Sequence, residues 1–385
     1  MKFISSVLKG IKGDLSPSSN TSAFKMLSVQ VKLLLLVQLC LAAFVASRPV
    51  SSEPSLLKRA SDKVGYLFIH FYDDYKEPGV YTTYPAGEQV FGHLSNGNDA
   101  LAYKPLNGGA PLLTSTVGTK GVRDMYLVSK GDESQHYIIA TDLNQTAVGG
   151  FGSPFLSRSL VIWESEGASL TKWKPSRLAE VVPDTFRMAW APEAIWLDDE
   201  QRFLVYWSSN KYADASHSGT PDYDKIYSSY TTDFVTFTDP EVFMDLGNNV
   251  GVIDLTIGRG PTSGTNQYVR FFKDESVYKV RGQVSNSGIQ GPWVDIGSAT
   301  EYVDNNNQAE APIYFKENTS NRWFVFLDQY GRSPAGYYPY SADNGIDQYG
   351  YTDLGFPSGM PTQLKHGSIK PLTQSQYDEI NAAWA

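Results

Sequence analysis

The run Ala309-Glu310-Ala311-Pro312-Ile313-Tyr314-Phe315, continued after a polar turn by Arg322-Trp323-Phe324-Val325-Phe326-Leu327, sets a carboxylate at the head of an apolar β-type stretch. The same arrangement recurs along the chain. Asp254 stands in Val252-Ile253-Asp254-Leu255-Thr256-Ile257, Glu193 in Trp190-Ala191-Pro192-Glu193-Ala194-Ile195-Trp196, Asp124 in Gly121-Val122-Arg123-Asp124-Met125-Tyr126, and His366 in Lys365-His366-Gly367-Ser368. The intervals from Asp124 to His366 are 69, 61, 56 and 56 residues. A period near 60 is long for a propeller repeat but accommodates a four-stranded blade with its loops. If each leading strand lines a central channel, the five side chains converge on one axis.

The remaining sequence has the same β texture. Runs such as Gly65-Tyr66-Leu67-Phe68-Ile69-His70-Phe71, Tyr137-Ile138-Ile139-Ala140, Phe203-Leu204-Val205-Tyr206-Trp207 and Tyr268-Val269-Arg270-Phe271-Phe272 are short, rich in aromatic and β-branched residues, and separated by Gly, Asn, Asp and Pro. A second repeat places Trp173 ten residues after Trp163 and Phe237 ten after Tyr227, as paired aromatics of outer hairpins packing between neighbouring sheets would be. Helical periodicity is confined to Thr373–Trp384. His366 has too little chain after it for a whole blade, while residues 63–107 carry strands without an anchor. The expectation is therefore an all-β, five-bladed propeller over residues 60–385, its two terminal segments completing one blade and removing an exposed sheet edge.

Residues 1–59 read differently. From Met26 a basic Lys32, an apolar run Leu33–Val45 and the small residues Val45-Ala46-Ser47 form a secretory signal pattern, and Lys58-Arg59 resembles a fungal propeptide processing site. The apolar run is short for a membrane span, so the expectation is a secreted, extracellular protein with no membrane association after cleavage. The single cysteine, Cys40, falls inside that run, which leaves the mature chain without thiol or disulfide chemistry. Without residues 1–59, which hold 8 of the 32 basic and 2 of the 41 acidic residues, the net charge is −15. So acidic a chain argues against nucleic acid, anionic membranes and polyanionic substrates, and no protein partner is implied. A neutral plant polysaccharide or oligosaccharide is compatible with it. Sequons occur at Asn144 and Asn318.

The ordered set Gly121-Val122-Arg123-Asp124, Ala140-Thr141-Asp142, Trp190-Ala191-Pro192-Glu193, Val252-Ile253-Asp254, Phe272-Lys273-Asp274-Glu275, Glu310-Ala311-Pro312 and His366-Gly367 resembles glycoside hydrolase family 43 from about Tyr66 to about Tyr377. The resemblance implies a five-bladed propeller hydrolysing arabinofuranosides, xylosides or, in some branches, galactofuranosides or galactans, with inversion. It implies Asp124 as general base, Asp254 as the carboxylate that orients the acid and tunes its pKa, and Glu310 as general acid. It also suggests that His366 binds a calcium ion or its water shell, with no cofactor required beyond such a structural calcium. An inverting glycosidase needs one carboxylate to activate water and one protonated carboxyl to protonate the leaving oxygen. A third carboxylate beside the acid is expected to keep it protonated.

Relatives often carry proline after the base, where this chain has Met125; Asp73 and Asp74 are rival base positions at the end of the first β run. An isolated Asp before a strand is usually a solvated turn residue, but apolar flanks on both sides of Asp254 and Glu310 favour function. Candidate substrate contacts are Glu193, Trp190, Lys273 and Arg270, with Trp207 and Phe272 as further stacking candidates that could equally be blade core. His70, His93, His136 and His217 lack metal-ligand spacing, and no Gly-x-Ser-x-Gly elbow is present. The expectation is a secreted glycosidase removing terminal α-L-arabinofuranosyl residues. β-Xylosidase, endo-arabinanase or galactofuranosidase activity stays open on the same fold, and a non-catalytic carbohydrate-binding propeller is the reading from another class.

Overall fold

The computed structural model describes residues 63–73, 87–262 and 265–385. The expected leader and processing site in residues 1–59, and the rival Asp74, lie outside them. The chain first lays down β1 (Lys63–Phe71), β2 (Phe91–Asn96) and β3 (Asp99–Pro105). Four sheets then follow in chain order. Blade one is β4 (Val122–Ser129), β5 (His136–Asp142), β6 (Ser159–Glu164) and β7 (Arg177–Glu180). Blade two is β8 (Trp190–Leu197), β9 (Arg202–Ser209), β10 (Lys225–Thr231) and β11 (Glu241–Met244). Blade three is β12 (Val252–Arg259), β13 (Tyr268–Asp274), β14 (Lys279–Ser285) and β15 (Val294–Asp295). Blade four is β16 (Glu310–Lys316), β17 (Trp323–Asp328), β18 (Tyr337–Ser341) and β19 (Thr352–Asp353). The last strand, β20 (Lys365–Thr373), pairs antiparallel with β1, so blade five is β20-β1-β2-β3 and the termini share it.

The second strand of each blade reads as a continuous buried run because both of its faces meet another blade; β5 and β13 are buried at every position. Five apolar clusters fill the five seams. Leu67 and Val161 meet between blades five and one, Ile162 and Phe203 between one and two, Tyr206 and Phe272 between two and three, Phe271 and Leu327 between three and four, and Phe326 and Phe68 between four and five. The sequence-paired aromatics sit in these seams: Trp163 with Trp173 in the first, Tyr227 with Phe237 in the second. The helix α1 (Gln374–Trp384) follows β20 and starts on a capping box, the Thr373 side chain accepting from the Gln376 N–H and Gln376 reaching back to the Thr373 N–H. Among the described residues no helix is long and apolar enough to cross a membrane.

Every inner strand carries a bulge at the same place, three residues on the inner strand facing two on its neighbour. The breaks fall between Arg123 and Tyr126, Trp190 and Glu193, Ile253 and Thr256, Glu310 and Ile313, and Lys365 and Ser368. Four of the bulges place a non-glycine residue at positive φ: Asp124 (54°), Ala191 (48°), Asp254 (54°) and Ala311 (51°). Such backbone is costly for an L-residue and is found where a bulge re-aims a side chain. In blade five the close approach is made by Gly367, where a Cβ would lie 1.9 Å from the Ile69 carbonyl oxygen.

Candidate active site

The bulges set the true equivalence among the inner strands. Asp124, Asp254 and His366 occupy the second bulge position, Glu310 the first, and Glu193 the residue two places beyond the second. The near-constant sequence interval thus joins positions that are not structurally equivalent. Asp124, Asp254, Glu310 and His366 nevertheless line one cavity of about 740 Å³, together with Trp190, Phe151 and Arg123.

Asp124 accepts a hydrogen bond from Thr141 Oγ1 (2.8 Å), and that same oxygen accepts from the Ala191 N–H (2.8 Å), tying blade one to blade two. Asp254 Oδ2 accepts from the Ala311 N–H at 3.0 Å, the residue next to Glu310. His366 Nδ1 lies 3.6 Å from Asp124 Oδ1 and 3.7 Å from Asp254 Oδ1. Tyr337, fully buried, donates through its hydroxyl to the Ala311 carbonyl (3.0 Å) and accepts from the Gly367 N–H (3.3 Å), locking blade four to blade five behind the site. Burial pushes the Asp254 carboxyl up to about 6, more than His366 pulls it down. Glu310 goes the other way. Its burial favours the neutral acid, but the ammonium groups of Lys365 and Lys273 outweigh that and hold it below the usual carboxylate range. Asp254 was expected to keep the acid protonated. Of the two it is Asp254 that favours its proton, while two lysines hold Glu310 as a carboxylate.

The other expected residues divide. Lys273 is at the site, 2.9 Å from Glu310 Oε2. Trp190 lines the cavity, its ring edge-on to Phe151 at 5.7 Å. Glu193 does not reach it: the two residues of offset turn its side chain into a separate cavity of about 310 Å³ beside Tyr126 and Thr256, where Tyr206 donates to it at 3.1 Å. Burial there pushes its carboxyl well above the usual range. Arg270 is also elsewhere, bonded to Gln283 (2.9 Å) and stacked 4.2 Å over Trp293 in blade three. Trp207 and Phe272 are seam core. Asp73 lines the cavity but is paired with Arg123 at 2.8 Å. The sequon at Asn144 lies beside Gln145 and Thr146 at the cavity wall, whereas the Asn318 amide donates to Asn98 (2.8 Å) and to the Gly65 carbonyl (3.2 Å).

The residues around His366 do not fit a directly bound calcium ion, which takes six to eight oxygen ligands. Nδ1 is a nitrogen spanning two carboxylates, and among the described residues no group of three or more His, Cys, Asp or Glu side chains is placed to hold a metal. Sequence reasoning missed Lys365, Asp328, Thr141, Arg123 and Glu88. Arg123, whose Nη1 is 2.9 Å from the buried Glu88, and Lys365 occupy in blades one and five the bulge position that Glu310 occupies in blade four. Thr141 and Asp328 are the cross-strand partners of Arg123 and Glu310. For Arg123 and Lys365 the signal was the place directly before an anchor, and for Thr141 and Asp328 the place facing Arg123 and Glu310 across the ladder; Glu88, ahead of β2, carried none.

A propeller whose first, third and fourth blades bring carboxylates into one axial cavity has the architecture of a glycoside hydrolase. Residues 62–378 match the family described as a probable glycosyl hydrolase domain related to glycosyl hydrolase family 43, and the chain belongs to that family. Over 229 residues it is 28% identical to an α-L-arabinofuranosidase of Bifidobacterium longum subsp. longum, a match covering 56% of this chain and 20% of that protein. The chain thus spans about a fifth of the length of the curated relative it matches. Similar solved structures include a Penicillium chrysogenum α-L-arabinanase complexed with arabinobiose (10% identity, 77% of this chain and 83% of that one, TM-score 0.46). Another is the catalytic domain of a Coprinopsis cinerea GH62 α-L-arabinofuranosidase (11% identity, 66% and 75%, TM-score 0.45).

Proposed function

We propose that the protein is a secreted inverting glycosidase that removes terminal α-L-arabinofuranosyl residues from neutral plant polysaccharide or oligosaccharide. The observation that carries the catalytic part is the convergence of Asp124, Asp254 and Glu310 from three blades on one cavity. The sugar is supported by the name of the Bifidobacterium relative. Asp124 acts as general base: it is oriented by Thr141 and, among the described residues, is not ion-paired to a lysine or arginine, unlike its rival Asp73. It takes a proton from a water whose oxygen attacks the anomeric carbon. Glu310, protonated for the step, gives its proton to the glycosidic oxygen as the bond from the anomeric carbon breaks and its electron pair stays on that oxygen. Asp254 holds the Ala311 N–H and so the strand start that carries the acid. Trp190 and Phe151 offer faces for the sugar ring.

The test is hydrolysis of branched and debranched arabinan and of aryl furanosides and pyranosides, with the anomer first released read by proton NMR. Arabinose should appear in the inverted configuration, and Glu310→Gln should lower the rate on arabinan by about 10²-fold or more while sparing substrates with good leaving groups. A resting Glu310 held ionised by two lysines is the feature a carbohydrate-binding propeller without activity would share. Oligosaccharide binding with no turnover of any substrate would favour that reading.

A further inference from the structure

Glu310 stands between two ammonium groups, and each of these is held from behind by another carboxylate. Lys273 Nζ lies 2.9 Å from Glu310 Oε2 and 2.8 Å from Glu275 Oε1. Lys365 Nζ lies 3.3 Å from Glu310 Oε1, 2.6 Å from Asp328 Oδ2 and 3.9 Å from Asp73 Oδ2. Asp328 is the nearest of the three and only 1% exposed. It is also the cross-strand partner of Glu310 in the β16–β17 ladder, so strand pairing presents both carboxylates to the same lysine.

A cation within about 4–6 Å of a carboxyl favours its ionised form. A general acid flanked by two unshared lysines could not hold the proton it must deliver. Sharing weakens that pull. The charge of Lys365 is drawn toward the closer carboxylate, where water is excluded and the attraction is least screened. We propose that Asp328 is a positioning residue that, by holding Lys365, limits that lysine's pull on Glu310 and so sets the pH range over which Glu310 can protonate a leaving group. This rests on Glu310 being the general acid. The other charged or titratable groups facing the pair are Lys273 and Glu275 from blade three, Asp254 and His366 across the cavity, Asp73 with its partner Arg123, Tyr337, the cross-strand neighbour of Asp328 in β18, and Tyr330, whose ring lies 5.5 Å from Lys365 Nζ. They are unchanged in the variants below. Burial pushes the Asp328 carboxyl up, against the pull of Lys365.

The experiment is the pH profile of kcat/KM for wild type, Asp328→Asn and the double variant Lys365→Met/Asp328→Asn. Each is assayed on an unactivated arabino-oligosaccharide and on 4-nitrophenyl arabinofuranoside, whose leaving group needs little protonation. Asp328→Asn leaves Lys365 to Glu310, so on the oligosaccharide the alkaline limb moves to lower pH by about one unit or more. The double variant removes both charges together, leaves no buried charge unpaired, and moves that limb to higher pH. On the nitrophenyl substrate neither limb moves. Alkaline limbs unmoved on the oligosaccharide in both variants, or moved equally on both substrates, would overturn the proposal; if Asp328→Asn does not fold, the double variant decides. Glu310→Gln separates the two levels. Full rate of that variant on the oligosaccharide removes the acid assignment itself, whereas its loss alongside unmoved Asp328 profiles removes the role of Asp328 alone.

Discussion

A carboxylate that leaves water keeps its charge only where cations or donors replace the lost solvation, and the site contains both outcomes a short distance apart. Glu310 has two lysines and stays ionised, while Asp254, with one backbone donor and an imidazole 3.7 Å away, is pushed up to about 6. A folded-state value above the unfolded one means that the native state binds a proton the unfolded chain releases, between the ordinary carboxylate range and about 6. The contribution of Asp254 to stability is therefore favourable below that window and is lost as pH rises through it. Asp254→Asn keeps an oxygen for the Ala311 N–H and removes the charge. It should be more stable than wild type by about 3 kcal/mol at pH 7 and by only about 0.5 kcal/mol at pH 4, while losing activity. Denaturant melts of both proteins at the two pH values check this, and an equal gain at both would show that the charge is not the cause. Asp254 and Glu310 were legible in the sequence because apolar residues flank them on both sides. Lys365 and Asp328 were not. A lysine before a histidine and an aspartate closing an apolar strand look like solvated strand ends, and only the ladder between β16 and β17 brings that aspartate opposite Glu310.

At the scale of the element, the strands and their order could be read from short β-branched and aromatic runs, but the register that aims their side chains could not. A bulge has no fixed sequence signature when its positive-φ residue is Asp or Ala instead of glycine. The interval counted from Asp124 to Glu193 was accordingly two residues out of phase, enough to move Glu193 out of the cavity that holds Asp124 and into the separate one beside Tyr126 and Thr256. The blade-five bulge depends on Gly367 instead, since a Cβ there would fall 1.9 Å from a backbone oxygen of β1 that cannot rotate away. Gly367→Ala should cost about 2–3 kcal/mol and lower activity through displacement of His366. Gly152, around which a Cβ meets nothing within 4 Å, is the control, and Gly152→Ala should stay within about 0.5 kcal/mol of wild type. Chemical denaturation compares them; equal stabilities would mean that the ladder shifts to admit the methyl group.

At the scale of the molecule, a propeller must hold its last blade to its first, and the sequence showed this need by supplying five anchors but only four complete sets of strands. The β20–β1 ladder closes the ring, and α1 adds a second tie across the seam between blades five and one. Ile380 is fully buried there and Tyr377 and Trp384 pack against the seam cluster. The Tyr377 hydroxyl donates to the Ser95 carbonyl of blade five at 2.8 Å. On the other side Thr171 donates to Glu379 at 2.8 Å and Gln376 donates to Glu133 at 3.0 Å, both beside blade one. None of these contacts reaches the cavity. Deleting residues 374–385 removes the buried Ile380 and the partly buried Tyr377 and Trp384 from the seam, about 4 kcal/mol, and should lower the thermal midpoint by about 5 °C. The carboxylates proposed to carry out the reaction keep every partner described for them, so kcat/KM at 25 °C should stay near wild type. A scanning melt and an assay on the same preparation test both halves. An unchanged melting temperature would mean that the strand ladder alone closes the ring, and a lost activity with an unchanged melt would mean that the seam holds the geometry of blade five at the axis.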